Sequence, residues 1–333
     1  MKRVIPIVTI LLSVAALVVA DPPAAEESDE KVSLRMIPEA GSYVMAMRTE
    51  SSQVMSSPAM PAPQRGGERT TMTMRMDVSE PNEEGERTMA VTFARIENVT
   101  RQGNRVVASF DSNDPPDEQD PGMAKGFRPL LGAELVFTLD ADGEVTEVDG
   151  VDALWEAYAK EFEGMPMADE VMKQIKQAFG DEALAKMVRP GQQVIPKEPV
   201  GEGHTWKLEQ QLPVPFVGKM TVRTTNRLES IENREGRKVA TINVQGDFSA
   251  DEPEKEEGVM GLNVESAEGD QTGTYVMDLD SGLVLEMDMS QDLTLKATMT
   301  DPRTGEETTM TLEQRSEMSA TMSRVEEEDD GEE

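Results

Sequence analysis

The chain has no cysteine, one histidine and only 4% aromatic residues, and each shortage closes off a class of chemistry. Without cysteine there are no disulfides, thiolate metal sites, cysteine nucleophiles or lipidated N-terminal cysteine. The single imidazole, His204, stands in Gly203-His204-Thr205-Trp206 at the mouth of an expected strand. No Gly-x-Ser-x-Gly elbow accompanies it, so a serine hydrolase lacks its parts and His204 reads as a turn-lining residue. Zinc chemistry lacks a second nitrogen or sulfur ligand. Glycine-rich phosphate loops are missing too, which leaves nucleotide use unsupported. Two tryptophans are too few to suggest aromatic platforms for sugars beside a carboxylate pair. Positive charge is scarce: 32 Lys+Arg face 65 Asp+Glu, for a net charge of −33. Phosphate recognition needs a cationic face, so nucleic acid is excluded as a partner and anionic membrane surfaces repel the chain.

What is present is enough for a folded core: 333 residues, 37% of them hydrophobic, the size of one or two domains. The first 20 residues read as a signal peptide, with an uncleaved anchor as the alternative; either exports the rest. Lys2 and Arg3 precede an apolar run to Ala20, and Asp21-Pro22-Pro23 follows, with Val18 and Ala20 at the cleavage-recognition positions. Cleavage would leave 30 basic against 65 acidic residues and no membrane span. The expected location is exported, periplasmic or extracellular. Residues 21–31 read as a disordered leader, and 326–333 as a solvated acidic tail.

Between these ends, apolar residues recur at every second position: Tyr43, Met45, Met47; Met72, Met74, Met76, Val78; Met89, Val91, Phe93; Val106, Ala108, Phe110; Leu135, Phe137, Leu139. This period means strands with one buried face. Turn residues fall where hairpins need them, at 82–85, 102–104 and 140–143. From 151 to 188 the spacing becomes helical, through Leu154, Trp155, Tyr158 and Phe162, then Val171, Ile175, Phe179, Leu184, Met187 and Val188, with Asp169 and Asp181 as N-caps. Pro196, Pro199 and Gly201 mark a linker, after which the alternation resumes.

The second run of strands mirrors the first. Trp206, Leu208, Gln210 and Leu212 follow Gly203 as Tyr43, Met45 and Met47 follow Gly41, and the segment 132–143 can be laid over 273–282. A duplicated β-unit accounts for this, residues 32–150 and 191–325 flanking a helical insertion at 151–190. The final strands are expected at 293–299 and 308–322. The fold class is α+β, mainly antiparallel β: two similar units forming a broad curved sheet, one face of which needs a cover that only the helical insertion can supply.

Several constellations invite chemistry. Asp140-Ala141-Asp142-Gly143-Glu144 spaces carboxylates like a calcium loop, but lacks the glycine and glutamate positions of an EF-hand and is flanked by strands, so a hairpin turn is expected; 278–282 reads the same way. Asn98-Val99-Thr100 has glycosylation spacing and is taken as accidental. Methionine is the unusual abundance, 24 residues, with thioethers on one face of a strand at Met45/Met47, Met72/Met74/Met76 and Met287/Met289. Such a surface can be ordinary core, a deformable apolar cavity for lipid-like ligands, or a copper(I) site, with core packing the plainest reading.

The residues Pro199-Val200-Gly201-Glu202-Gly203-His204-Thr205-Trp206, with Leu-Asp-x-x-Gly-x-Val-x-x-Val-x-Gly from Leu139 to Gly150, resemble an uncharacterised family of exported bacterial proteins, a domain of unknown function. The resemblance runs from about Leu34 to Met322. It departs from the family pattern in placing Gly-Glu-Gly-His before Thr205-Trp206 where Val-Gly-Asp is typical. It carries no activity, cofactor or catalytic residue across. The architecture is also similar to periplasmic lipoprotein carriers, whose curved sheet and helical lid hold acyl chains.

Together these features point to a non-enzymatic exported protein without cofactor or metal. It is expected to hold a hydrophobic small molecule or lipid, or to meet a cell-envelope protein, between sheet and helices. Lining candidates are Met72, Met74, Met76, Phe93, Phe137, Trp155, Tyr158, Phe162 and Trp206. The alternatives are a structural envelope component with an acidic, salt-tolerant surface and, further off, the methionine-based copper(I) binder and a carboxylate-dependent enzyme with two buried acids.

Overall fold

In a computed structural model of the chain, the described residues are 30–36, 38–115, 124–163, 172, 195–214, 218–250, 262–300 and 307–325. The signal segment, the acidic tail, most of the second half of the helical insertion and the caps Asp169 and Asp181 lie outside them.

Alternating sequence becomes strand almost everywhere. In chain order the strands are β1 (Lys31–Val32), β2 (Gly41–Ser56), β3 (Gln64–Val78), β4 (Arg87–Gln102), β5 (Arg105–Asp111), β6 (Glu134–Leu139) and β7 (Val145–Asp149). After them come β8 (Val200–Gly201), β9 (Thr205–Val214), β10 (Gly218–Arg234), β11 (Arg237–Ala250), β12 (Leu262–Asp278), β13 (Val284–Thr300) and β14 (Glu307–Arg324). Two helices, α1 (Ala124–Phe127) and α2 (Val151–Glu161), and a 3-10 turn at Arg128–Leu130 complete the described elements.

Twelve strands form one sheet in the order β7-β6-β4-β3-β2-β14-β13-β12-β11-β10-β9, with β5 hairpinned onto β4. Every pairing between these strands is antiparallel. The fold is therefore mainly antiparallel β with a minor helical part. The two runs of strands lie end to end, because β14 pairs β2 from Thr311↔Ser56 to Arg324↔Tyr43. The long chain between β7 and β9 joins the two outer edges.

Residues directly opposite across antiparallel strands share a face. One face is polar. On the other, the row Leu228, Ile242, Tyr275, Met287, Ala320, Met47, Met72 and Ile96 runs through β10, β11, β12, β13, β14, β2, β3 and β4. A polar row interrupts that apolar face, where Gln291 donates to Gln271 Oε1 at 2.5 Å and Asn226 to Thr224 Oγ1 at 3.3 Å.

The expectation that the helical insertion alone covers the apolar face is corrected by the structure. Helix α2 packs only over β6, β7 and part of β4, where Val151, Leu154, Trp155, Tyr158 and Phe162 meet Leu135, Phe137, Leu139 and Val145. The β10–β13 side is covered instead by the two-stranded ribbon β1–β8, through Val32, Leu34 and Val200 against Leu228, Ala240, Ile242 and Met277. Of this ribbon, Lys31 falls in the expected leader and Val200–Gly201 in the expected linker, while Val32 and Leu34 open the expected first β-unit. Their apolar residues are too few to show a period, so only their partners reveal the role. The leader accordingly ends before Lys31, and the linker contains β8.

The turns behave as their residues dictate. Asp140 Oδ1 accepts from the amides of Asp142 and Glu144 at 3.0 and 2.8 Å, and Asp278 Oδ1 from Asp280 and Ser281 at 2.9 and 3.1 Å. These carboxylates close hairpins rather than a calcium loop. Asn98 is buried in β4 with its amide donating to Thr70 Oγ1 at 2.8 Å, so the glycosylation-like triplet is an interior hydrogen bond.

All three tyrosines are built into the apolar side, and burial raises each phenol, Tyr158 and Tyr275 to about 12 and Tyr43 above its ordinary value. A phenol held neutral contributes stability that is complete below the unfolded value of 10.0 and is lost as pH rises through about 12. In a spectrophotometric titration two of the three phenols, Tyr158 and Tyr275, should stay largely protonated up to about pH 11 in the native chain, while the urea-unfolded chain ionises near 10. Coincident native and unfolded curves would contradict this packing.

Candidate functional site

The nine lining candidates do not form one cavity wall. Phe137, Trp155, Tyr158 and Phe162 sit together between α2 and the β6–β7 edge. Met72 and Phe93 pack against Ile96, Phe110 and Ala124. Met76 belongs with Tyr43, Val78 and Leu283, and Trp206 lies against the ribbon-covered core around Leu228. Met74 joins none of these clusters among the described residues.

The first group has a clear local cause. Its α2 members recur at three, four and seven residues, which places them on one helical face. Gly150 starts the helix at φ 88°, and a Cβ there would lie 2.1 Å from the Glu134 carbonyl oxygen, so only glycine turns the chain from β7 onto the sheet. Trp155 lies tilted against Tyr158 at 5.9 Å between centroids, and Tyr158 stacks on Phe162 at 6.1 Å. The Tyr158 hydroxyl donates to the Gly126 carbonyl at 2.8 Å, fastening α2 to α1. Beside α1, Phe110 stacks with Phe127 at 5.8 Å, and the Arg128 guanidinium lies over its ring at 5.2 Å. This is core, closed by its own side chains.

Between the two coverings the apolar face is different. Register sets Met322 opposite Met45 and Met45 opposite Met74, one row across β14, β2 and β3, and Met47 opposite Met72 in the adjacent row. Met45, Met47 and Met74 are half-buried and belong to no buried cluster among the described residues. Among the described residues this methionine tract is thus half-buried apolar surface in the middle of the sheet, with α2 and its neighbours over the β6–β7 side and β1–β8 over the β10–β13 side.

The opposite face carries a feature that reading apolar positions missed. A groove of ≈ 690 Å³ is bordered by six adjacent strands from β10 to β2, which requires the sheet to bend around it. Two in-register rows line it: Arg48, Ser319, Asp288, Thr274, Asn243, Arg227, and beside them Glu50, Glu317, Ser290, Thr272, Gln245, Thr225. The signal was available in the polar alternates of the same strands.

The charges there are largely engaged with each other. Glu50 accepts from Arg48 at 2.8 Å and Arg69 at 2.6 Å, and these two guanidinium bonds hold its carboxyl below the usual range. Arg227 Nε stands 3.4 Å from Glu229, which also accepts from Asn243 at 3.3 Å. Asp111, on β5, is likewise lowered, by the Asn113 amide and by Arg95. Both displaced carboxyls are moved away from the neutral range in which a general acid or base works. The Thr225 hydroxyl is buried in the groove wall without a partner among the described residues.

Among the described residues no group of three His, Cys, Asp or Glu side chains could hold a metal ion, and no helix is long and apolar enough to cross a membrane.

No curated protein matches the chain. Among solved structures, a lipovitellin studied for its lipid–protein interactions aligns at 10% identity with a TM-score of 0.41, over 87% of this chain and 26% of that one. The present chain thus spans about a quarter of the lipovitellin chain. The outer membrane protein OprG from Pseudomonas aeruginosa aligns at 5% identity and a TM-score of 0.24, covering 87% of this chain and 100% of that one. A DUF1329 family protein from Desulfovibrio piger aligns at 9% identity and a TM-score of 0.14, covering 86% and 87%. At these scores the likenesses carry no argument. A family model described as a family of unknown function, DUF6263, matches residues 84–284, more than half of the chain.

Proposed function

The chain belongs to this family of unknown function, and from that premise we propose that it is an exported, non-enzymatic binding protein whose methionine tract receives a single-chain hydrophobic ligand of acyl type. The observation that carries the reading is the tract itself: Met45, Met47 and Met74 lie half-buried at the sheet centre, outside every cluster that closes the core, with covering segments on both sides. Methionine has three rotatable bonds and a polarisable sulfur, so such a surface moulds itself to a flexible chain without a fixed shape. A tract one to three strands wide suits one chain rather than a flat ring system. The acidic surface, 65 Asp+Glu against 32 Lys+Arg, disfavours an anionic headgroup and favours a neutral or cationic one.

The test is uptake of a fluorescent alkylamine or monoacylglycerol by delipidated protein, with native mass spectrometry for a one-to-one adduct. Met45→Glu combined with Met74→Glu places charge in the tract and is expected to weaken uptake by more than about tenfold, since burying an unpaired carboxylate costs well over 1.4 kcal/mol. No adduct and no uptake by the unaltered chain would overturn the proposal.

A further inference from the structure

We propose that Met45, Met74 and Met322 also form a thioether site for a soft monovalent ion, copper(I) or its surrogate silver(I). Each of these residues stands directly opposite the next across neighbouring strands, Met322↔Met45 and Met45↔Met74, so all three project from the same face in one row. Directly opposed Cβ atoms lie about 4.5–5.5 Å apart, a spacing from which three flexible thioethers can converge on a single ion. Met47 and Met72 form the adjacent row and can supply a further sulfur.

Two more observations favour a metal over inert packing. Met45 and Met74 are half-buried and take no part in the buried clusters among the described residues, and Met322 is only partly packed, against the cluster holding Tyr43 and Met76. No cluster among the described residues locks their side chains. Next, no His, Cys, Asp or Glu group able to hold a metal exists among the described residues, so nothing there competes for harder ions. Thioethers are neutral and soft. They displace water from copper(I) or silver(I) but not from zinc, calcium or magnesium, which sets the class of ion. The nearest cation in the next row, Arg324 opposite Tyr43, is directed away, its Nη2 donating to the Ala40 carbonyl at 3.0 Å and its Nη1 lying 3.9 Å from Glu39.

The inference shares its face with the acyl reading but not its chemistry, and leucine separates them, since it keeps the apolar surface and removes the sulfur. The full exported chain would be titrated anaerobically with silver(I) under native mass spectrometry, and with copper(I) in competition with bicinchoninate. The triple variant Met45→Leu/Met74→Leu/Met322→Leu is expected to bind the ion more than about 100-fold more weakly, while Met55→Leu, at the far end of β2, leaves affinity unchanged. X-ray absorption of the copper(I) form should show sulfur neighbours alone. Lipid-probe uptake by the triple variant should match the unaltered chain, so each proposal fails by its own readout. Silver uptake absent from the unaltered chain, or equal affinity in the triple variant, would overturn the site.

Discussion

Trp155→Ala is expected to lower the stability of the folded chain by about 3–5 kcal/mol, read as a reduced midpoint in urea with an unchanged slope. Trp155 is 7% exposed at the centre of the contact between α2 and the β6–β7 edge, where Leu135, Phe137 and Leu139 complete its surroundings. Removing the indole leaves a cavity that Tyr158 and Phe162 cannot fill, because Tyr158 is held by its bond to Gly126 and stacks on Phe162. Tyr158→Phe, which deletes that bond and keeps the ring, should cost only about 1 kcal/mol. If both variants lost the same small amount, α2 would not be anchored by its aromatic face.

The second large effect is expected at Gly269. Its partner across β11–β12 is Phe248, whose ring lies over the bare backbone: a Cβ on Gly269 would meet the ring at 2.4 Å and the Asp292 carbonyl oxygen at 2.2 Å. An alanine must push both a ring and a neighbouring strand, placing Gly269→Ala at about 3 kcal/mol, the upper end for overpacking. Phe248→Leu in the same chain removes the ring clash and not the carbonyl clash, so partial recovery is the expected outcome. Complete recovery would show that the backbone approach is immaterial, and none that the ring is. Ala267, Val264, Leu293, Met220 and Val222 gather around Phe248, so the change is felt through that whole cluster.

The outcome at these sites shows what could be read from residues alone. Alternation located β2, β3, β4 and β6, and the face each presents, because a period of two is a local property that burial enforces directly. It located the centre of α2 equally well, since Leu154, Trp155, Tyr158 and Phe162 cannot share a strand face. Strand continuity is harder to read: the strand carrying Met287 and Met289 and the one expected at 293–299 are a single strand, β13, over Val284–Thr300. Val284–Asp292 contains Glu286, Asp288, Ser290 and Gln291, whose polar rows belong to the groove face and to the polar row opposite, and such positions weaken the apolar signal without weakening the ladder.

Pairing order was beyond reach for another reason. Tyr43, Met45 and Met47 resemble Trp206, Leu208 and Leu212 in pattern, yet β2 lies in the interior between β3 and β14 while β9 is the last strand at one edge. Most neighbours in the sheet are consecutive strands, but the joint of β14 with β2 is made by residues far apart in the chain, and local spacing holds no record of it. The polar groove went unseen because Arg48, Asp288 and Arg227 come together only through that order. The methionines were recognised as an unusual set, but the row Met322–Met45–Met74 needed β14 to be placed beside β2.

That junction governs assembly. The earliest long strand of the chain completes its ladder only with the latest, fourteen ladder partners from Thr311↔Ser56 to Arg324↔Tyr43. During folding, one rim of the N-terminal half waits unsealed until β14 is in place, so high contact order should make closure slow. Interrupted chains lacking β14 would present two raw edges instead of one joint, templates for mispairing with sister copies.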